Sequence, residues 1–178
     1  MTRGQAKWML VFACIGAGQV HAFCWERAGQ LHGLEPELLQ AIADVESQQR
    51  ADAMNTNADG SRDIGLMQIN SWHLPRLHDQ GITEQRLLAE PCLSVEVGAS
   101  VLAGFISRYG YNWTAVGAYN AGNGPDRQSA RLRYAHKVWQ RYRVLTRKAP
   151  ARSPPQARMG DSDRGHSRSA EFDQDHPG

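Results

Sequence analysis

The chain has 178 residues, 20 basic and 18 acidic side chains and a formal charge of +2. That length suits one domain, and so even a charge balance gives little support to nucleic-acid binding. The most apolar stretch, Trp8 to Ala17, falls well short of the roughly 20 residues a membrane span needs.

Residues 1–22 read as a secretory signal. Arg3 and Lys7 supply the positive start, Trp8 to Ala17 the apolar region, and Val20-His21-Ala22 the small residues expected at a cleavage site. A buried N-terminal helix is the alternative, but Gly4, Gly16 and Gly18 and the lack of any acid before Glu26 favour a signal. Export to the periplasm is the expectation. Cleavage after Ala22 removes Cys14 and leaves Cys24 and Cys92, an even pair for which one disulfide is the default in an exported chain. It also removes Arg3 and Lys7, so the remaining chain is formally neutral.

Phe23 to Gly29 begins the first expected helix, which His32-Gly33 breaks. Pro36 suits the first position of a second helix and Glu37 its early turn. Along that helix Leu38, Leu39, Ile42, Ala43 and Val45 recur at helical spacing, and Glu46-Ser47 follows them. Glu46 shares a face with Leu39, Ile42 and Ala43. A carboxylate on an apolar stripe is costly unless paired or protonated. Spacing alone leaves open a structural Glu at a helix end and a catalytic acid.

Asn55 to Asp63 (NTNADGSRD) is expected to form a tight polar turn. Asn55, Asn57, Asp59, Gly60 and Asp63 match five positions of a calcium loop, but Leu66 stands where its bidentate Glu belongs. No CxxC or Cys/His cluster suggests zinc, so neither metal nor cofactor is expected. Ile64 to Asn70 (IGLMQIN) has no clean period and is expected to be a short irregular or extended strip, with a weak helix after it ending near Asp79.

Thr83 can cap a short helix, and Pro91 opens a strong one whose Cys92, Val95, Ala99, Leu102 and Ile106 form an apolar face. Asn112 can cap the next, containing Trp113, Val116 and Tyr119, and Asn120 to Asp126 is a glycine-rich loop. A last helix from about Ser129 to Leu145 is expected to place Leu132, Ala135, Val138, Trp139 and Tyr142 on one face. Residues 131–148 carry seven basic side chains and no acid, a run suited to anionic wall or membrane surfaces. After Thr146 large apolar residues nearly vanish, and 149–178 is expected to be a disordered tail.

Three ordered motifs, Glu46-Ser47, Gly65-Leu66-Met67-Gln68-Ile69-Asn70 and Ala118-Tyr119-Asn120-Ala121-Gly122, resemble the soluble lytic transglycosylase (SLT) domain, a relative of goose-type lysozyme. The likeness runs from about Cys24 to Tyr142, and its nearer side is to small members accompanying type III and type IV secretion, conjugation or pilus machines. The resemblance implies a mainly α, lysozyme-like domain over 23–148 that cleaves peptidoglycan and leaves 1,6-anhydro-muramyl ends. It implies Glu46 as catalytic acid, Ser47 as its positioning neighbour, Met67, Gln68 and Asn70 along the sugar groove, and Tyr119 bonded to Glu46 or substrate. Asn120 would fix its loop, and Tyr134 would face the same cleft. Peptidoglycan and components of an envelope-spanning apparatus are the implied partners of a monomeric chain, without nucleic acid. Asp52, Asp59 and Asp63, the remaining carboxylates near in sequence, are expected to face solvent in the polar turn.

Overall fold

The computed structural model describes residues 18–148. The expected tail and most of the signal segment, Cys14 included, lie outside the described residues. Helix α1 (Gly18–His32) begins ahead of Phe23, because Gln19 to Ala22 contains no helix breaker, and runs through the expected cleavage position. Gly33, at φ 66°, ends it. Pro36 then opens α2 (Pro36–Ser47), where its missing amide costs no hydrogen bond.

The stretch expected as one turn is a hairpin. Strand β1 (Met54–Thr56) pairs antiparallel with β2 (Arg62–Ile64), with Met54 opposite Ile64 and Thr56 opposite Arg62. Strand β3 (Ile69–Asn70) completes the sheet in the order β1-β2-β3. The turn proper is Asn57 to Ser61: Asn57 N–H donates to Ser61 O at 2.8 Å, and Asp59 accepts from both the amide and the hydroxyl of Ser61. All three β1 side chains are exposed, so no apolar alternation announces the strand.

A 3-10 turn (Ser71–His73) leads into α3 (Leu74–His78). Helix α4 (Glu84–Ala89) follows, its Thr83 cap accepting from the Arg86 amide, and then α5 (Pro91–Tyr109). Asn112 caps α6 (Trp113–Ala121) by accepting from the amides of Thr114 and Ala115. A second 3-10 turn (Pro125–Arg127) joins α6 to α7 (Gln128–Lys148).

Buried Leu38, Leu39, Ile42 and Ala43 of α2 form the middle of the core. Helix α5 adds buried Val95, Ala99 and Leu102, whereas Cys92 is exposed at its start and Ile106 only half-buried. On α7 the inward face is Tyr134, Ala135, Val138 and half-buried Tyr142. Leu132 and Trp139, expected on that face, are 61% and 37% exposed. At 3.6 residues per turn they lie about 100° round the helix from the centre of the buried row. The backbones of α6 and α7 approach so closely at Gly117 that a Cβ there would lie 2.5 Å from the Arg131 carbonyl oxygen. No described helix is long and apolar enough to cross a membrane.

Cys24 and Cys92 form a disulfide between α1 and the first turn of α5, with Cα atoms 5.2 Å apart at a sequence separation of 68. Closing a loop of that length restricts the unfolded chain by about 4 kcal/mol in the chain-entropy description. The Cys24→Ser/Cys92→Ser double variant is therefore expected to unfold at clearly lower denaturant concentration, with both thiols of the native chain refusing an alkylating reagent until reduced. An unchanged midpoint in chemical denaturation would show that the link adds no stability.

Candidate active site

Helix α2 ends in a tight left-handed finish. Gln48 and Gln49 have φ 55° and 60°, and their amides return to Asp44 O and Ala43 O. Glu46 therefore sits in the last turn, one residue before the end of the helix, where the backbone carbonyls disfavour negative charge. Its carboxylate Oε1 accepts a 2.6 Å hydrogen bond from the Tyr134 hydroxyl, which crosses from the inward face of α7.

The glutamate is half-buried, and its pKa is raised from 4.5 to about 7. Loss of hydration is the largest cause. The Tyr134 hydrogen bond opposes it by favouring the ionised form; the negative charge of Asp63 adds to it, and Lys137 and Asn120 pull weakly the other way. A group with that pKa carries a proton in a substantial fraction of molecules near neutrality and can give it up and regain it.

The strip from Gly65 to Gln68 brings Gln68 into the cleft that Glu46 lines and is pinned from beneath. Ser47 Oγ donates to Leu66 O at 2.7 Å, and Ser94 Oγ accepts from the Met67 amide at 3.2 Å. Both serines are buried. Gly65 has φ 74°, and a Cβ there would meet Leu87 O at 2.6 Å. Ser47 thus ties the helix that carries Glu46 to the strip facing it.

Several side chains stand elsewhere than the resemblance implied. Met67 is fully buried against Gly98 and does not line the groove. A thioether with no polar partner packs in the core, and what Met67 offers the site is its carbonyl. That carbonyl accepts the Tyr119 hydroxyl at 2.8 Å, so Tyr119 lies beside Glu46 and feels its charge but donates its proton to the strip. Tyr134, not Tyr119, bonds the carboxylate.

Gln68 borders the cleft, yet its amide is already used. Nε2 donates to Gly65 O at 2.8 Å and Ala53 O at 3.2 Å, and Oε1 accepts from Asn55. Those bonds hold Gln68 at φ 48°, an uncommon left-handed backbone for this residue type. Asn70 holds the cleft's other end. Its Oδ1 accepts from the Trp72 amide, and its Nδ2 donates to Asp63 Oδ1 at 2.8 Å and Ser61 Oγ at 3.2 Å.

Asp63 does not face open solvent. It is half-buried and borders the same cleft as Glu46, its two oxygens accepting from Asn70 at 2.8 Å and Asn57 at 3.1 Å. The hairpin explains this: β2 pairs with β3 through Asp63 opposite Asn70, which fixes the carboxylate at the cleft edge. Asp59 also borders the cleft but is exposed, and Ser61 holds its pKa low by hydrogen bonding. Asp52 is exposed.

The cleft has a volume of about 560 Å³ and includes Glu46, Asp63, Gln68, Asn70, Tyr119 and exposed Asn120. That is the size range of small-ligand sites. Sequence reasoning missed Asn57, Trp72, His73 and Arg127 in its lining. Trp72, 74% exposed on the rim, offers a flat apolar face of the kind sugars stack on. An indole directly after the strip was the available signal. Burial lowers the His73 pKa, with Arg76 adding to the effect, so the ring is neutral at ordinary pH. Among the described residues no group of three His, Cys, Asp or Glu side chains could hold a metal ion.

The comparisons with known proteins agree with this geometry. The family model described as the transglycosylase SLT domain matches residues 23–141. The invasion protein IagB of Salmonella typhimurium is 49% identical over 137 residues, covering 77% of this chain and 86% of its own. Protein IpgF of Shigella flexneri is 41% identical over 137 residues, covering 77% and 90%. Among solved structures, an inactive glutamate-to-glutamine mutant of the lytic transglycosylase Slt from Pseudomonas aeruginosa superposes with a TM-score of 0.60 at 23% identity. That match takes in 73% of this chain and 24% of the other, and it speaks to the lysozyme-like fold. With the family model spanning α1 to α7, the chain belongs to the transglycosylase SLT domain family and is a lytic transglycosylase.

Proposed function

We propose that this enzyme cleaves the bond between N-acetylmuramic acid and N-acetylglucosamine in peptidoglycan and closes the muramyl residue into a 1,6-anhydro ring. The observation that carries the reading is the half-buried Glu46 carboxyl, set in the cleft and bonded by the Tyr134 hydroxyl at 2.6 Å, where burial pushes its pKa up. In its protonated form Glu46 gives its proton to the glycosidic oxygen, and the bond from that oxygen to C1 breaks. The resulting carboxylate, supported by the Tyr134 hydroxyl, takes the proton of the muramyl C6 hydroxyl as that oxygen bonds to C1. No water is consumed. An intramolecular hydroxyl has the proximity advantage that a free water lacks.

Asp63 adds negative charge near the cation that forms at C1 and raises the proton affinity of Glu46. Its place in the cleft also supports a second reading, in which it serves as the second carboxylate of a hydrolase and activates water. Anhydro closure is the preferred reading, because the chain belongs to the transglycosylase SLT domain family.

In the cell we infer that the chain, exported to the periplasm with residues 1–22 as its signal, opens the wall locally for a secretion, conjugation or pilus machine. A relative named an invasion protein is in keeping with that. Residues 23–148 form the active unit in this reading. Residues 149–178 are dispensable for the chemistry, so a chain ending at Lys148 is expected to digest isolated sacculi at close to the full rate.

Glu46→Gln keeps the side-chain shape but cannot donate the proton, and it is expected to lower sacculus digestion by at least about a hundredfold. Mass spectrometry of the wild-type digest is expected to find muramyl ends about 18 Da lighter than hydrolytic ones, a mass difference of one water. Reducing muramyl ends lost on Asp63→Asn would establish the hydrolase instead.

The pH dependence follows from the same groups. Glu46 must start protonated, so kcat/KM is expected to fall as pH rises through about 7. Tyr134 favours the ionised form, so Tyr134→Phe is expected to move that limb to higher pH; Asp63 favours the protonated form, so Asp63→Asn is expected to move it lower. Limbs that shift together, or not at all, would break the link between these neighbours and the acid.

A further inference from the structure

The face of α7 that points away from the cleft has a composition the catalytic reaction does not use. Tyr134 and Arg143 are nine residues apart and so stand on opposite sides of the helix at about 100° per residue. The outward side carries Arg133, His136, Arg143 and Arg147, all exposed. Among them stand apolar groups: Leu132 is 61% exposed, Val144 42% and Trp139 37%. Trp139 is held in place, stacked on the His136 ring with centroids 5.9 Å apart and covered by the Arg143 guanidinium 4.6 Å from its centroid.

We propose that this face docks the enzyme on an anionic phospholipid surface. Charge complementarity selects the occupant. Residues 131–148 contain seven basic side chains and no acid, while the rest of the chain after residue 22 sums to minus seven. One of the seven, Arg131, turns inward, its Nη1 donating to Gly122 O and Gly124 O. The other six are exposed. A polyanionic surface attracts such a helix and tolerates the opposite charge elsewhere only if the helix faces it. An indole and two aliphatic side chains among guanidinium groups suit the boundary between headgroups and acyl chains, where tryptophan concentrates. An acidic polypeptide would pair with the cations but would leave Leu132 and Val144 without an apolar partner. Bound this way, α7 lies between the lipid and Glu46, and its Tyr134 side faces away from the membrane.

Vesicle co-sedimentation of the chain without residues 1–22 tests the proposal. Binding is expected with vesicles about one-third phosphatidylglycerol, and none with phosphatidylcholine alone. Salt at about 0.5 M is expected to release most of the bound protein, since ion pairing at a surface is screened. The Arg133→Glu/Arg143→Glu/Arg147→Glu variant is expected to lose at least about tenfold in affinity. Trp139→Ala is expected to bind several-fold more weakly at low salt, with far-ultraviolet circular dichroism and digestion of isolated sacculi unchanged in both variants. Wild-type protein that ignores phosphatidylglycerol vesicles, or a triple variant that binds them as tightly, overturns the proposal. Capture by polyglutamate but not by vesicles would make the face a protein-docking surface instead.

Discussion

The site depends on one hydrogen bond across the core, from the Tyr134 hydroxyl to the carboxylate of Glu46 at 2.6 Å. It sets two opposing effects against each other, of which burial is the larger. Withdrawal from water raises the affinity of Glu46 for its proton, and the phenol limits that rise by stabilising the carboxylate. Without burial the glutamate would be ionised at neutral pH and useless as an acid. Without the phenol the proton would be held more tightly and returned less readily. Asp63, on the hairpin, shifts the balance back toward the proton. Three elements far apart in sequence thereby set one pKa.

That balance depends on how α2, the strip and α7 are held against one another, and the packing shows what holds them. Ser47, the residue after Glu46, donates to the Leu66 carbonyl from a buried position, so the acid and the wall facing it move as one body. Ser94 ties the same strip to α5. Gly98 leaves room for the Met67 side chain, which a Cβ would meet at 2.8 Å. Gly117 lets α6 and α7 approach until a Cβ would overlap the Arg131 carbonyl, and Tyr119 of α6 and Tyr134 of α7 both stand near Glu46. Buried polar groups here are expensive unless satisfied, and the serines are satisfied by the strip's backbone.

Much of the helical scaffold was legible because its signals are local. Pro36 and Pro91 open helices, Thr83 and Asn112 cap them, and the apolar spacing of α2 and α5 marks their buried faces. The hairpin was not legible. Met54 to Thr56 is exposed at every position and too short to show a period, so its pairing depends on Arg62 to Ile64 across the turn. The pairing of β2 with β3, Asp63 opposite Asn70, then set the Asp63 carboxylate at the cleft edge. Motif knowledge brought Tyr119 and Met67 to the right neighbourhood but not to the right contacts, since it cannot say which of two phenols reaches the acid or that a methionine serves through its carbonyl, as acceptor for Tyr119. On α7 the count of apolar residues was misleading: Leu132 and Trp139 are as apolar as the core but lie off the row that Tyr134, Val138 and Tyr142 define.

The fold itself gives Glu46 a proton affinity suited to neutral pH, before any substrate binds. The most direct measurement is a titration of the Glu46 side-chain carboxyl by carbon-13 NMR in the free enzyme, with Glu46→Gln identifying the resonance. A midpoint near 7 is expected. A midpoint near 4.5, the ordinary value for a glutamate, would mean that burial and the Tyr134 contact do not prepare the acid, and the mechanism built on them would fail.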